Sequence, residues 1–209
     1  GLAQLQLLDG AHPAELRDDL GKIEHAALRA RAIVQQLLSL ARAQRPGAHP
    51  VALAPLIEAI LQRLALPLAA ADVHAQQAYD ETLSPTAGDP DQLQQALFNI
   101  IHNAIQALAD KPPGERRELT IRAQLVRQHI LIAIADNGAG ILPEHQPHIF
   151  EPFFTTRIVG QGTGLGLALS HAIILQHSGT IWVQSQPGQG ATFFVQLPVA
   201  SHSPAHSGV

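Results

Sequence analysis

The chain has 209 residues, 46% of them hydrophobic but only 4% aromatic, with no cysteine and no methionine. Without cysteine neither a disulfide framework nor a thiolate metal site can form, and the many Ala, Leu and Gln residues favour aliphatic helices in an α/β protein over an aromatic β-sandwich. A formal net charge of −4 with no long Lys/Arg run disfavours a nucleic-acid binder that works by neutralising phosphates, and the 12 histidines show no HExxH spacing.

Residues 1–8 read as the end of a helix, stopped by the turn Asp9-Gly10-Ala11-His12-Pro13. A second helix is predicted from about Ala14. Its residues Leu16, Leu20, Ile23, Ala27, Ala30, Val34, Leu37 and Ala41 alternate spacings of four and three, a heptad seam that needs a partner helix. The pattern predicts an antiparallel hairpin that dimerises into a four-helix bundle. Pro46, Gly47 and Pro50 break it, which divides the chain into helices over 1–45, a linker over 46–50, a globular domain over 51–198 and a disordered tail over 199–209. No stretch approaches the roughly 18 apolar residues of a membrane span. The missing initiator methionine predicts further sequence upstream of Gly1, with room there for a membrane or sensory domain.

Within the globular domain, Pro55–Leu66 is predicted as a helix and Val73–Tyr79 as a weak strand. Asp89-Pro90-Asp91-Gln92 is a helix start, with Asp89 as the cap, Pro90 at the first helical position and Gln92 placed for a capping box. That helix runs to about Asp110. Leu93, Leu97, Ile100, Ile101, Ala104 and Leu108 form its apolar side, while Asn99 and Asn103, four apart, share the other. Strands are predicted over Leu119–Val126 and His129–Ala135 around a tight Arg127-Gln128 turn. A short helix over Pro143–Ile149, a loop over 154–163, a helix over 164–178, and strands over Thr180–Gln186 and Ala191–Leu197 complete the domain.

The residues with chemistry cluster around Ile134–Gly166. Asp136 ends an apolar strand and precedes Asn137-Gly138-Ala139-Gly140, which sets a carboxylate over a glycine turn where a ligand can approach. It is equally placed to close an Asx turn on its own backbone. Asn99 and Asn103 offer amide oxygens suited to a magnesium ion that takes its other oxygens from water and phosphate. Phe150, Phe153 and Phe154 read either as core or as the hinge of a lid over residues 155–162, with Arg157 as a cation for phosphate. Gly160, Gly162, Gly164 and Gly166 present bare backbone N–H groups at a helix start, a setting that suits phosphate oxygens.

In their order and spacing, NIIHNA, DNGAGI, FEPFFTT and GTGLGLALS resemble the N, G1, F and G2 boxes of the GHKL nucleotide-binding superfamily, specifically the catalytic domain of sensor histidine kinases. The likeness covers roughly residues 51–198. It implies an α/β (α+β) two-layer sandwich of the GHKL (Bergerat) type, preceded by a remnant of a dimerisation and histidine-phosphotransfer hairpin. The implied ligands are ATP and Mg2+. Asp136 would take the adenine amino group, with Gly138 and Gly140 in its turn. Asn99 and Asn103 would hold the metal and phosphates, and Gly162, Thr163, Gly164, Leu165 and Gly166 the phosphate-side loop. Phe150, Thr155 and Thr192 would line the nucleotide, and Arg157 stands where the family often has Lys, a different cation in geometry. His12 and His25 lack the family's phosphoacceptor pattern, which places the acceptor upstream of Gly1.

The expected function is transfer of the ATP γ-phosphoryl group to that upstream histidine, for relay to a response-regulator aspartate. The expected setting is a cytoplasmic homodimer that binds no nucleic acid. Two alternatives are a GHKL-type ATPase and a nucleotide-gated dimerisation module without kinase activity. The ATPase relatives place a glutamate base where Asn99 stands, and an amide is a poor proton acceptor.

Overall fold

The computed structural model describes residues 49–81, 83–157 and 163–200, together with Asp19, Leu20 and Ile23. The chain divides into two compact units, Gly1–Ala43 and Gln44–Val209. In the first unit the three described residues are helical and Ile23 is 59% exposed. The rest of the predicted hairpin lies outside the described residues.

The second unit is a two-layer α/β sandwich. Its elements are β1 (His49–Val51), α1 (Leu53–Arg63), α2 (Ala65–Ala70), β2 (Val73–Tyr79), β3 (Thr86–Gly88), α3 (Pro90–Ala109), β4 (Arg117–Val126), β5 (His129–Asp136), α4 (Gly166–Gln176), β6 (Thr180–Gln186) and β7 (Gly190–Pro198). The main sheet has the order β2-β4-β5-β7-β6, and β1 and β3 form a separate antiparallel pair. Only β2 and β4 run parallel, as the crossover through α3 requires; every other neighbour in the main sheet is antiparallel.

One face of the sheet carries the core. Leu119 and Ile121 of β4, Ile130, Ile132 and Ile134 of β5, and Phe193, Val195 and Leu197 of β7 point to the helix layer and are buried. They meet the apolar side of α3, where Leu93, Leu97, Ile100, Ile101, Ala104 and Leu108 are all buried as the periodicity predicts. Each such aliphatic side chain contributes about 1.5–3 kcal/mol relative to exposure.

Several boundaries differ from expectation. The first helix of the domain is two segments, α1 and α2, joined at Leu64. β1 and β3 are three residues each, too short for periodicity to reveal. The expected helix over Pro143–Ile149 is a run of turns, in which the N–H groups of His145 and His148 reach only three residues back. Pro147 has no N–H to continue an α-helix, which accounts for the difference. The last helix starts at Gly166 and not 164. Beyond Pro198, Val199 and Ala200, the first two residues of the tail predicted from 199, are tied down by bonds from their N–H groups to the carbonyls of Gln128 and Pro85; the remainder lies outside the described residues.

Candidate functional site

The helix α3 forms one wall of the site. Asp89 caps it through Oδ1, which accepts from the N–H groups of Asp91 (2.9 Å) and Gln92 (3.2 Å). The Gln92 side chain donates to the Asp89 carboxylate at 3.2 Å and not to the Asp89 N–H that a reciprocal capping box would use. That N–H belongs instead to His177 Nε2, at 3.1 Å.

Halfway along α3, Asn99 sits against the start of α4. Its Nδ2 donates to the Gly166 carbonyl at 3.1 Å, and its Oδ1 accepts from Gln95 Nε2 at 2.9 Å. One lone pair of Oδ1 therefore remains for a further partner. Asn103, one turn on, is half-buried and makes no side-chain hydrogen bond among the described residues. The start of α4 has no side-chain cap, so its first N–H groups have no partner within the helix. Leu165 before it is fully buried, and Ser170 Oγ ties the helix back to α3 through the Ala96 carbonyl at 3.0 Å.

At the other end of α3 stands Asp136, which is 8% exposed. Its Oδ1 accepts from the Gly138 N–H at 2.9 Å, and Ala191 of β7 pairs with Asp136 across the strands. Burial pushes the Asp136 carboxyl above its usual 3.8, an effect that the Gly138 N–H and the nearby Lys111 only partly offset. The turn it begins fits tightly. A β-carbon on Gly138 would stand 2.8 Å from Asp136 Oδ1 and 3.2 Å from the Ala107 carbonyl oxygen. At Gly140, whose φ is +72°, one would meet the Gln186 carbonyl oxygen at 2.2 Å. From Asn99 to Ala107, α3 rises about 12 Å, which separates the two ends of the wall.

Among the other expected residues, Phe150 is half-buried, stacked on His171 at 5.3 Å and edge-on to Phe193 at 6.4 Å, so it packs between α4 and β7. Phe153 is 63% exposed with φ +69°, and its N–H donates to the Gly164 carbonyl at 2.9 Å, which pins the two ends of the loop together. Arg157 lies beside α3, with its guanidinium on Asp110 at 3.2 Å and its N–H on Thr155 Oγ1 at 3.2 Å. Thr163 is exposed. Gly162 lies outside the described residues.

Thr192 is not brought to the base end. It pairs with Ala135, whereas Asp136 pairs with Ala191, and alternation along a strand puts Thr192 on the opposite face of the sheet. Ala191 takes the place beside the carboxylate.

Sequence reasoning missed three contributors. Lys111 Nζ donates to the carbonyls of Asn137 and Arg116, both at 3.0 Å, and holds the turn after β5 from the helix side. Asn137 staples that turn to β4, accepting from the Glu118 N–H at 2.9 Å and donating to the Arg116 carbonyl at 3.0 Å. Ser185 holds it from the β6–β7 side, accepting from the Ile141 N–H at 2.8 Å. Only Asn137 carried a local signal, as an Asx residue before glycine.

Residues 88–201 match the family described as histidine kinase-, DNA gyrase B- and HSP90-like ATPases. Among curated proteins, the chain is 41% identical over 167 residues to the signal transduction histidine-protein kinase AtoS of Escherichia coli K12. It is 36% identical over 167 residues to the sensor histidine kinase ZraS of the same organism. Each alignment covers 80% of this chain but only 26% of AtoS and 34% of ZraS, so the chain spans about a third or less of these relatives. The full-length ShkA crystal structure in complex with AMPPNP shares the fold with a TM-score of 0.78 at 24% identity, covering 96% of this chain and 42% of that one.

Proposed function

The chain belongs to the family of histidine kinase-, DNA gyrase B- and HSP90-like ATPases and carries an ATP-binding catalytic region of the sensor-histidine-kinase kind; on that footing we propose that it lays ATP along α3 and passes its γ-phosphoryl group to a histidine. The observation that carries this reading is the two-ended wall itself. A buried acceptor, Asp136, stands at one end, and an amide-backed, uncapped helix start, Asn99 with Gly166, stands at the other.

At the base end, the ionised Asp136 accepts the exocyclic amine of adenine, and the turn of Gly138 and Gly140 leaves room for a flat ring. At the phosphate end, the first N–H groups of α4 face anionic oxygens favourably, aided by the positive end of the helix dipole. Thr163, Gly164 and Leu165 lead the chain into that helix, and Thr155 and Arg157 belong to the segment that closes over the phosphates. The donor set fits a magnesium ion, since Asn103 has no side-chain partner among the described residues and Asn99 Oδ1 keeps a lone pair on the same helical face. Such an ion would neutralise phosphate charge. Phosphoryl transfer needs positioning and charge neutralisation more than covalent chemistry, and this site is built of amides and backbone N–H groups.

Two copies would pair through the heptad seam of residues 16–41, the acceptor histidine would lie upstream of Gly1, and a response-regulator aspartate would receive the group in the cytoplasm. No helix among the described residues is long and apolar enough to cross a membrane. Asn99 favours transfer over hydrolysis, because an amide is a poor base for water.

The test is to mix the chain with a separate helical bundle bearing the acceptor histidine and with γ-labelled ATP. Acid-labile, base-stable label on the bundle is the expected result. Release of free phosphate without label would establish an ATPase in its place.

A further inference from the structure

Asn99 is held by its amide at both ends. Its Nδ2 donates to the Gly166 carbonyl at 3.1 Å across 67 positions of sequence, and its Oδ1 accepts at 2.9 Å from Nε2 of Gln95, one turn earlier on α3. A backbone carbonyl can only accept, so the Gly166 oxygen dictates which end of the Asn99 amide faces α4. The oxygen end must then face Gln95, which meets it with an N–H and not with its own oxygen. One fixed carbonyl therefore orients both side-chain amides.

That carbonyl is itself anchored. Ser170, fully buried on α4, brings its hydroxyl to 3.0 Å from the Gly166 oxygen and to 3.0 Å from the carbonyl of Ala96, the neighbour of Gln95. These contacts close a loop that runs from Gln95 through Asn99, Gly166 and Ser170 back to Ala96. Crowding is not what restrains Asn99 there: a β-carbon on Gly166 would meet Asn99 Cβ and Cγ only at 3.8 Å, an ordinary contact. The hydrogen bonds decide its orientation.

The terminal torsion of an Asn side chain is broad, and bonds at opposite ends of the amide remove that freedom. Of the two lone pairs on Oδ1, the Gln95 bond fills one, which leaves a single acceptor direction on the side of α3 that Asn103 shares. A cation with strict octahedral demands gains most from an oxygen that need not be ordered on binding.

We propose that Gln95 is a positioning residue for the metal: its Nε2 fixes the direction in which Asn99 Oδ1 offers its free lone pair. The proposal rests on the reading of Asn99 and Asn103 as magnesium ligands. It places control of the metal-dependent part of ATP affinity one helical turn before those ligands.

The test measures ATP binding by calorimetry on the full chain, with Mg2+ and with the metal removed by EDTA. Gln95→Met keeps the length and helix preference of the side chain but cannot donate. It is expected to reduce the magnesium-dependent gain in ATP affinity about threefold to tenfold, the range for one lost hydrogen bond, while metal-free ATP binding changes less than about twofold. An ordinary pair of neighbours on a helix would lower the melting temperature and leave the magnesium gain unchanged. That outcome, or equal weakening with and without the metal, overturns the proposal. NMR of the side-chain amides in the nucleotide-free wild type supplies a reading that needs no variant to fold. The Asn99 amide should be as ordered as rigid backbone, with an order parameter of about 0.85, and a value below about 0.6 overturns the proposal. Asn99→Ala separates the levels. If that variant keeps the full magnesium gain, the metal reading itself falls and the Gln95 proposal with it; if it loses the gain while Gln95→Met keeps it, only the role of Gln95 falls.

Discussion

His177, the residue after the last turn of α4, and Asp89, the N-cap of α3, are joined directly: the Asp89 N–H donates to His177 Nε2 at 3.1 Å across 88 positions of sequence. The other ring nitrogen, Nδ1, lies 2.8 Å from the Ile173 carbonyl, which can only accept, so the proton sits on Nδ1 and Nε2 is the acceptor. The ring is 4% exposed and locks together α3 and α4, the two helices that also meet through Asn99 and Gly166.

Removal of the ring should therefore cost more than a surface change. His177→Ala is expected to destabilise the domain by about 2–3 kcal/mol, because it opens a cavity and leaves the Asp89 N–H without a partner. Gly88→Ala should act on the same contact, since its β-carbon would stand 2.3 Å from His177 Cδ2. In a denaturant double-mutant cycle the pair should be less destabilised than the sum of the single variants. Strict additivity would mean that the contact is not the cause.

Acidification should weaken ATP binding through Asp136. The raised carboxyl means that the native chain keeps its proton to a higher pH than the unfolded chain does, and a protonated acceptor receives the adenine amine poorly. ATP affinity should fall from a pH above the ordinary 3.8 of an aspartate. Asp136→Asn should abolish that dependence and bind ATP about 1–3 kcal/mol more weakly at neutral pH. The sign for stability is the opposite. Ionising Asp136 costs the ligand-free protein stability as pH rises through the folded value, so wild type should gain on Asp136→Asn as pH falls. Calorimetric titrations and melts across pH check both.

The neck of the lid segment gives a contrast between two glycines. Gly164 has φ +64°, and its added β-carbon would lie 2.4 Å from the Phe153 carbonyl carbon; Gly188 has φ +77° but nothing within 4 Å. Gly188→Ala should cost only the left-handed backbone, about 1–2 kcal/mol. Gly164→Ala should cost more and should also weaken ATP binding, because the Phe153–Gly164 bond must give way. Equal melting shifts for the two would exclude a steric role for Phe153.

Arg157 should be detectable through His102. The histidine is stacked on Phe98 at 5.7 Å, and burial first, then the Arg157 charge, holds its pKa below the usual value. Arg157→Ala should move the His102 titration upward, towards the ordinary value, as followed by NMR of the ring protons. An unmoved titration would show that Arg157 does not stand on Asp110 in solution.

Metal dependence separates the two asparagines. Asn103→Ala breaks no side-chain hydrogen bond to the described residues and should reduce the magnesium dependence of ATP binding with little change in melting temperature. Asn99→Ala loses the bond to Gly166 as well and should lower both, stability by about 1 kcal/mol. The same magnesium response before and after would remove both residues from the metal site.

Local sequence determined the longer elements and part of the inventory of the site. The apolar side of α3 from Leu93 to Leu108, the Asp89-Pro90 helix start, the β4–β5 hairpin around Arg127-Gln128 and the acid-glycine turn at Asp136 are each written in residues a few positions apart, where periodicity, capping and turn chemistry act. Tertiary structure decided which groups meet. The Asp89 N–H goes to His177 and not to Gln92, Asn99 reaches Gly166 across 67 positions, and Ala191, not Thr192, stands beside Asp136. No local pattern encodes such pairings, because strand register and helix packing are set by burial of the whole core, and a shift of one residue along β7 reverses the face that each side chain meets.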